Sequence, residues 1–204
     1  FNVNVEAIVA DITTTDGQNK VLEAGSDADI LVTNAGGPPP GYWSDWKIVE
    51  IRNALEISML TPIALMKGIL PQMISKKWGR IVNITSQSVK APIPGLGVSN
   101  TIRAAVANWA KTLSLELGPY GITVNNVLPG FTSTNRLKSL IEKKSTILGK
   151  SISEVESEMK NTVPLKRFGD ASEVANAVVF LSSPAASYIN GINLPVDGGR
   201  TASL

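Results

Sequence analysis

The sequence predicts an α/β fold in which helices cover both faces of a doubly wound parallel sheet. Short apolar segments rich in β-branched residues lack helical spacing, which is typical of buried parallel strands. Longer segments between them carry apolar residues three and four positions apart, as amphipathic helices do. Glycine and proline turns separate the segments and no repeat interrupts them, so residues 1–204 are predicted to form a single domain.

Five segments are predicted as strands from their β-branched and apolar content: 3–11, 29–32, 80–84, 122–128 and 192–196. In the first, apolar and polar residues alternate before the segment becomes entirely apolar, which indicates a strand entering the sheet. The second closes on the turn-forming residues Asn34, Ala35, Gly36 and Gly37. The fourth is ended by a Pro-Gly pair, and the last is short.

Five segments are predicted as helices: 13–24, 47–77, 99–117, 137–159 and 171–181. Pro62 and Pro71 are expected to kink the second helix or to begin a new turn. The third is expected to begin at Ser99 or Asn100, since both residue types cap helix N-termini well. Gly149 divides the fourth into two charged helices, which we expect to cover the functional site.

The stretch 78–103 holds the strongest indication of a functional site. The predicted central strand leads directly into a hydroxyl cluster, Thr85, Ser86 and Ser88, and then into a loop broken by prolines and glycines. Open α/β sheets place their ligand sites at the carboxyl ends of the strands. We therefore expect any chemistry of this chain to occur around Ser86.

The composition excludes several kinds of site. The chain has no cysteine and no histidine, so it has no disulfide, no thiolate or imidazole metal site and no Ser–His triad, and we predict no metal. Proton transfer then falls to tyrosine, lysine, carboxylates or water. A net charge of +2 without a basic cluster gives no support for nucleic-acid binding. We find no signal peptide and no apolar run near the ~20 residues of a membrane span, which predicts a cytoplasmic protein without a membrane partner.

Seven short motifs follow one another along the chain: DI at 11–12, NAG at 34–36, GRIVNITS at 79–86, NNVLPG at 125–130, PLKRFG at 164–169, FLSS at 180–183 and VDGG at 196–199. Each is weak alone, but their order and spacing resemble the short-chain dehydrogenase/reductase family, nearest its 3-oxoacyl-[acyl-carrier-protein] reductase-like members. The resemblance implies a Rossmann-like, three-layer αβα fold. It also implies NAD(P)(H)-dependent oxidoreduction of a carbonyl or alcohol substrate.

Members of this family begin with a βαβα portion whose glycine-rich turn binds the cofactor pyrophosphate. No such portion occurs in this sequence, which starts at Phe1 almost inside a predicted strand. We therefore expect a processed chain or a fragment that lacks the phosphate-binding turn. The side chains that select NAD or NADP normally lie in that portion, so the cofactor is NADP or NAD, with NADP slightly favoured by the resemblance.

The resemblance also implies a catalytic tetrad of Asn, Ser, Tyr and Lys, of which this chain keeps only the serine, Ser86. Ser99 and Arg103 stand in place of Tyr and Lys, and Ser58 in place of Asn. A serine hydroxyl is a much weaker acid than tyrosine, and arginine does not give up its proton. Ser99 acting through water, or Lys90 directly, is therefore a hypothetical proton donor. The alternatives are a helix-capping Ser99, a solvated Lys90, and an Arg103 that binds ribose or is a surface charge.

The family further implies a set of cofactor contacts: Asp11, Ile12, Asn34, Ala35, Gly36, Arg103, Pro129, Gly130, Phe131 and Thr134. For Asp11 and Asn34 the alternative is hydrogen bonding at a strand end. In the family, the Pro-Gly turn and the hydroxyl matching Thr134 lie against the nicotinamide, and the helical segment 131–161 covers the substrate. The resemblance also implies a homodimer or homotetramer through the 47–77 and 99–117 helices, which otherwise only cover the sheet.

Two functions follow from these observations. One is reduction of a small-molecule carbonyl or acyl-thioester substrate, supported by Ser86, the motif at 34–36 and the turn at 129–130. The other is a catalytically degenerate homologue that binds a ligand or serves as a scaffold, supported by the replaced Tyr and Lys. Cofactor binding without turnover distinguishes the second from the first.

Overall fold

The computed structural model describes residues 3–203, which contain a four-stranded parallel sheet. Its strands are β1 (Ile30–Thr33), β2 (Gly79–Ile84), β3 (Ile122–Pro129) and β4 (Asn193–Val196), which lie side by side in this order. Four of the predicted strands therefore agree with the structure to within one residue at each end. The predicted α/β fold with a parallel sheet is confirmed.

Seven α-helices occur in the described chain: α1 (Thr15–Gly25), α2 (Ile48–Leu55), α3 (Thr61–Lys76), α4 (Gly97–Leu117), α5 (Asn135–Leu148), α6 (Ile152–Asn161) and α7 (Ala171–Ser182). The helices α2 and α3 are joined by a π-helical turn, Glu56–Leu60. Pro62 lies in the first turn of α3 and has no N–H, so the α-helical hydrogen-bond pattern breaks just before it, as predicted. Pro71 lies inside α3 and does not end it.

The helices form two layers, one on each face of the sheet. On the first face, a buried cluster joins α3 and α4 to β2 and β3: Met66, Ile69, Met73, Ile81, Ala110, Leu113, Leu117, Ile122 and Val124. On the second face, Val82 and Val127 pack against Leu181 of α7 and Ala186. Successive side chains of a strand point to opposite faces, which assigns Ile81 and Val82 to different layers. The fold is thus the predicted three-layer αβα arrangement.

A row of polar side chains crosses the sheet from β1 to β4. Thr33 Oγ1 donates to Asn83 Oδ1 (2.8 Å), Asn83 Nδ2 to Asn126 Oδ1 (3.0 Å), and Asn126 Nδ2 to Asn193 Oδ1 (2.8 Å). These four residues are also directly paired between adjacent strands. We call this row the amide ladder. It holds all four strands in one register, so their carboxyl ends meet at the same edge.

Residues 3–11 do not form the strand predicted for them. Val5 and Val9 are 84% and 86% exposed, and in the described chain β1 pairs only with β2. A strand is stabilised by backbone hydrogen bonds to a neighbouring strand, and residues 3–11 have no such neighbour here. The alternation of apolar residues in 3–11 was therefore not sufficient to form a strand.

The predicted start of the third helix, Ser99 or Asn100, is also two or three residues too late. The helix α4 begins at Gly97 after Leu96, and no side chain caps it. A Cβ on Gly97 would lie 2.0 Å from the Trp46 ring, so the glycine allows this tryptophan to pack against the first turn. Ser99 therefore lies within the first turn of α4 and does not cap it.

The continuous helix Ile48–Lys76 is long and apolar enough to cross a membrane by length and composition. The sequence-based statement that no apolar run approaches that length is wrong for this helix. Of its most apolar window, 33% is buried, and its residues Met66, Ile69 and Met73 belong to the core against the sheet. This packing is that of a core helix in an α/β fold.

Candidate active site

A cleft of about 610 Å³ opens at the carboxyl ends of β1, β2 and β3. Residues 34–37 after β1, 84–87 after β2 and 129–132 at the end of β3 form its floor. One wall is the start of α4, and the other is made by α5 and α7. Both the volume and the position are those of a small-molecule site in an open α/β sheet.

Ser86 supplies a hydroxyl to this cleft. Its Oγ accepts a hydrogen bond from the Ser88 N–H (3.1 Å), and within residues 3–203 its own proton has no acceptor. The neighbouring Thr85 hydroxyl is buried and donates to the Val127 carbonyl (3.3 Å). The Ser88 hydroxyl also has no partner in the described chain, but it is buried and outside the cleft lining. Of the predicted hydroxyl cluster, Ser86 is therefore the member placed to donate a proton to a molecule in the cleft.

Arg103 holds the ends of two strands together. Its Nη1 donates to the carbonyls of Ile84 (2.9 Å) and Thr85 (2.7 Å), and its Nη2 reaches the Ala35 carbonyl (3.4 Å). Burial, and secondarily the charge of Arg136, lower the pKa of Arg103 below its ordinary value. Arg103 is thus not the exposed surface charge that the sequence left open.

Ser99 lies one helical turn before Arg103 and lines the same cleft. The structure therefore places Ser86, Ser99 and Arg103, the residues that match the family pattern, in one cleft. Ser58, the residue in the position of the family asparagine, lies in the π-helical turn. It lines a small cavity of about 20 Å³ beside Arg103 and Thr85, next to the main cleft.

Three candidate residues do not reach the cleft lining. Lys90 follows the short 3-10 turn at 87–89, and its backbone N–H donates to the Gln87 carbonyl. Asp11 and Ile12 lie before α1 and are not part of the cleft lining. The Asp11 carboxylate accepts hydrogen bonds from the Thr13 hydroxyl (2.6 Å) and N–H (3.0 Å), which lower the pKa of Asp11. These hydrogen bonds lie within the loop before α1 and not at the end of a strand, and the cofactor contact of Asp11 stays a prediction.

The other candidate cofactor residues all line the cleft: Asn34, Ala35, Gly36, Pro129, Gly130, Phe131 and Thr134. Gly130 is required by close packing, because a Cβ there would lie 2.6 Å from the Asp197 Cβ. A Cβ on Gly36 would meet no atom within 4 Å, so the backbone there faces open space. Apolar walls, open glycine backbone and the Ser86 hydroxyl fit the nicotinamide-ribose end of a dinucleotide.

Several lining residues were not singled out from the sequence: Gly37, Gln87, Leu96, Thr132, Arg136, Val174 and Val178. Arg136 lies two residues after Thr134, inside a segment expected to cover the site. This position was the only indication in the sequence that Arg136 could line the cleft. Val174 and Val178 follow helical spacing on α7, which predicted a sheet-covering face and gave no indication of a cleft wall.

The helices α5 and α6 pack on each other through a separate small cluster: Leu137, Ile141, Val155 and Met159. Phe131 and Phe168 join it, with their rings edge-to-face and 6.0 Å apart. Because this cluster is distinct from the sheet core, α5 and α6 form a unit beside the cleft.

The sequence matches the family described as Enoyl-(Acyl carrier protein) reductase over residues 2–201. It is 33% identical over 202 residues to the 3-oxoacyl-[acyl-carrier-protein] reductase FabG of Vibrio cholerae serotype O1, covering 96% of this chain and 78% of the relative. It is 32% identical over 179 residues to the NADPH-dependent reductase BacG of Bacillus subtilis, covering 86% of this chain and 68% of the relative.

Two solved structures are also similar to this fold. One is YwfH, an NADPH-dependent reductase involved in bacilysin biosynthesis, with a TM-score of 0.90, 27% identity, and coverage of 97% of this chain and 78% of the other. The second is a variant of actinorhodin polyketide ketoreductase with NADPH, with a TM-score of 0.89, 29% identity, and coverage of 95% and 77%. The chain therefore belongs to the short-chain dehydrogenase/reductase family of NAD(P)-dependent oxidoreductases, as its motifs predicted.

Proposed function

We propose that this cleft reduces the carbonyl group of a small-molecule or acyl-thioester substrate with NADPH, in the manner of 3-oxoacyl reduction. The observation that carries the proposal is the convergence of Ser86, Ser99 and Arg103 with the turn at 129–130 in one cleft. Two of the similar proteins are described as NADPH-dependent reductases, which supports NADPH over NADH.

Each of the three residues has a role in this proposal that its place in the cleft allows. The Ser86 proton is free to donate to the substrate oxygen and to stabilise the negative charge that develops there. Arg103 adds positive charge beside this position. Ser99 relays a proton to the same oxygen through water. The bound nicotinamide would supply the hydride, and Asn34 with residues 129–130 would hold it.

The unit formed by α5 and α6 belongs to the same proposal. The segment 131–161 contributes Phe131, Arg136, Leu137 and Leu140 to the cleft wall. We infer that it covers the substrate and excludes water from the reacting carbonyl.

A second candidate function is ligand binding without hydride transfer. It is favoured by the absence of any tyrosine, lysine or carboxylate among the described residues that line the cleft. Arg103 also directs its hydrogen bonds to backbone carbonyls, and a guanidinium group is not a proton donor in catalysis. In this case the site would retain a nucleotide or a related molecule without turning it over.

Protein from the complete reading frame distinguishes the two functions. It is titrated with NADPH and NADH, and oxidation of the cofactor is followed by absorbance with a short 3-oxoacyl thioester present. Saturable turnover is expected, with kcat lowered about 100-fold or more in Ser86→Ala. Lys90→Met is expected to retain activity within about twofold, because Lys90 does not line the cleft.

Binding of NADPH without turnover across a panel of carbonyl compounds would support the second function. If neither nucleotide binds, the reductase proposal is wrong. A large loss of activity in Lys90→Met would show that Lys90 is the proton donor, and the assignment to Ser99 would then be wrong.

We further propose that the protein works in the cytoplasm as a homodimer or homotetramer formed through α2–α3 and α4. Val49 and Leu115 on these helices are 57% and 69% exposed, which leaves apolar surface for a second copy. Light scattering should show a multiple of the chain mass that decreases in Leu115→Glu. A wild-type monomer at micromolar concentration would contradict the assembly, and recovery in the membrane fraction would contradict the location.

A further inference from the structure

Two arginine side chains meet at one point of the cleft wall. Arg136, in the first turn of α5, donates from Nη1 to the Gly37 carbonyl (3.1 Å) and from Nη2 to the Pro38 carbonyl (3.3 Å). A Cβ on Gly37 would lie 3.1 Å from Arg136 Nη2 and 3.4 Å from Arg103 Nη2. The two guanidinium groups therefore lie side by side against the backbone of residue 37.

The charge of this pair is not compensated. Arg103 and Arg136 are the only ionisable side chains among the described residues that line the cleft. Neither forms a salt bridge anywhere in residues 3–203. The charge of Arg136 adds to burial in lowering the pKa of Arg103, which means that the two cations repel each other. Two cations in a largely apolar cleft favour an anion between them.

We propose that Arg103 and Arg136 together bind an anionic group, a carboxylate or a phosphate, of a molecule held in the cleft. Guanidinium groups match both anions with paired N–H donors. Arg136 now contacts only neutral carbonyls, and its side chain is exposed. An anion replaces these contacts with stronger, charge-assisted hydrogen bonds.

The position of the pair relates the anion to the reacting group. Arg103 contacts the carbonyl of Thr85, the residue directly before Ser86. An anion held by the pair therefore lies in the same cleft as the Ser86 hydroxyl assigned to the substrate oxygen. This inference rests on the proposed reductase function and specifies its substrate class as carbonyl compounds with a nearby acid group, unless the anion is a phosphate of the nucleotide.

The test compares Arg136→Met and Arg136→Lys with the wild type. Lys138→Met is the matched control, because Lys138 is exposed on the same helix and does not line the cleft. The probes are NADPH alone, a short 3-oxo acid, and the neutral methyl ester of that acid. Binding is measured by calorimetry, and kcat and KM are measured by cofactor absorbance.

If the anion belongs to the substrate, Arg136→Met raises KM for the acid about 10-fold or more and changes KM for the ester and the Kd of NADPH far less. If the anion is a nucleotide phosphate, the Kd of NADPH rises by a similar factor. The reduction of the acid and of the ester is then impaired to the same extent. In either case the affected KM or Kd of Arg136→Lys lies between the values of wild type and Arg136→Met, since lysine keeps the charge but loses the paired donors. Lys138→Met matches the wild type.

If KM for the acid and the Kd of NADPH both stay within about twofold of the wild-type values in Arg136→Met, the inference is wrong. If the wild type reduces neither carbonyl compound, the reductase function fails separately. Calorimetric binding of the acid and of NADPH to wild type and to Arg136→Met then still decides whether the arginine pair binds an anion.

Discussion

Replacing Asn126 with alanine should destabilise the fold strongly, because it removes the central member of the amide ladder. Asn126 is 2% exposed, accepts from Asn83 Nδ2 at 3.0 Å and donates to Asn193 Oδ1 at 2.8 Å. Alanine leaves two partner groups without hydrogen bonds inside the sheet. Asn83 is itself 1% exposed, so water cannot replace the lost acceptor.

The expected loss follows from the number of unpaired groups. A buried polar group without a partner costs about 1–3 kcal/mol, and two such groups give about 2–4 kcal/mol, since Asn193 is only half-buried. For a domain of this size, that corresponds to a decrease in Tm of about 4–16 °C. The same change loosens β2 against β3, whose carboxyl ends carry Ser86 and the turn at 129–130.

The assay is urea unfolding of wild type and variants at one fixed protein concentration, followed by circular dichroism. Asn108→Ala is the matched control, because Asn108 is exposed on α4 and is expected to change the free energy of unfolding by no more than about 0.5 kcal/mol. Thr33→Val should lose about 1 kcal/mol, since it removes one hydrogen bond at the end of the ladder. A loss below about 0.5 kcal/mol in Asn126→Ala would refute the assignment of stability to the ladder.

Three further substitutions test the backbone and the surface charges. Gly121 has φ +71°, and a Cβ there would lie 2.3 Å from the Lys77 carbonyl, whereas Gly149 has φ +63° and open space around it. Gly149→Ala should therefore lose about 1–2 kcal/mol of unfolding free energy and Gly121→Ala clearly more, and equal losses in urea unfolding would contradict the steric argument. Hydrogen bonds from Arg167 lower the pKa of Glu173 to about 2, below the ordinary value of 4.5. The stabilisation is thus present above about pH 5 and disappears as the pH falls towards 2. The difference in unfolding free energy between wild type and Glu173→Gln should shrink over that range, and a difference independent of pH would exclude the ion pair as its cause.

Local patterns predicted most of the fold. β-branched segments with glycine before or after them located all four strands, and helical spacing located the helices. These signals work because each strand or helix must bury an apolar face whatever its neighbours are. They failed for residues 3–11, where the alternation was present but no neighbouring strand was available. They also failed at the start of α4, where packing between Gly97 and Trp46 outweighed the preference of Ser99 for a capping position.

The candidate site was predicted in part. Ser86, Ser99 and Arg103 were found by matching the catalytic pattern of the family that the chain resembles, and the structure places all three in one cleft. Lys90 was proposed because it lies close in sequence to Ser86, but the short turn at 87–89 intervenes, and the cleft does not include it. Asp11 and Ile12 were carried over from a family motif, and they are not part of the cleft lining.

The sequence by itself determined the α/β class, the positions of the four strands along the chain, the family and the serine at the end of the central strand. All of these depend on patterns within short stretches or on the order of motifs. Only the tertiary structure showed that Arg103 joins two strand ends and that Arg136 approaches Gly37, a contact between residues 99 positions apart in the chain. Such a contact depends on how whole helices pack against the sheet, and no periodicity along the sequence records it.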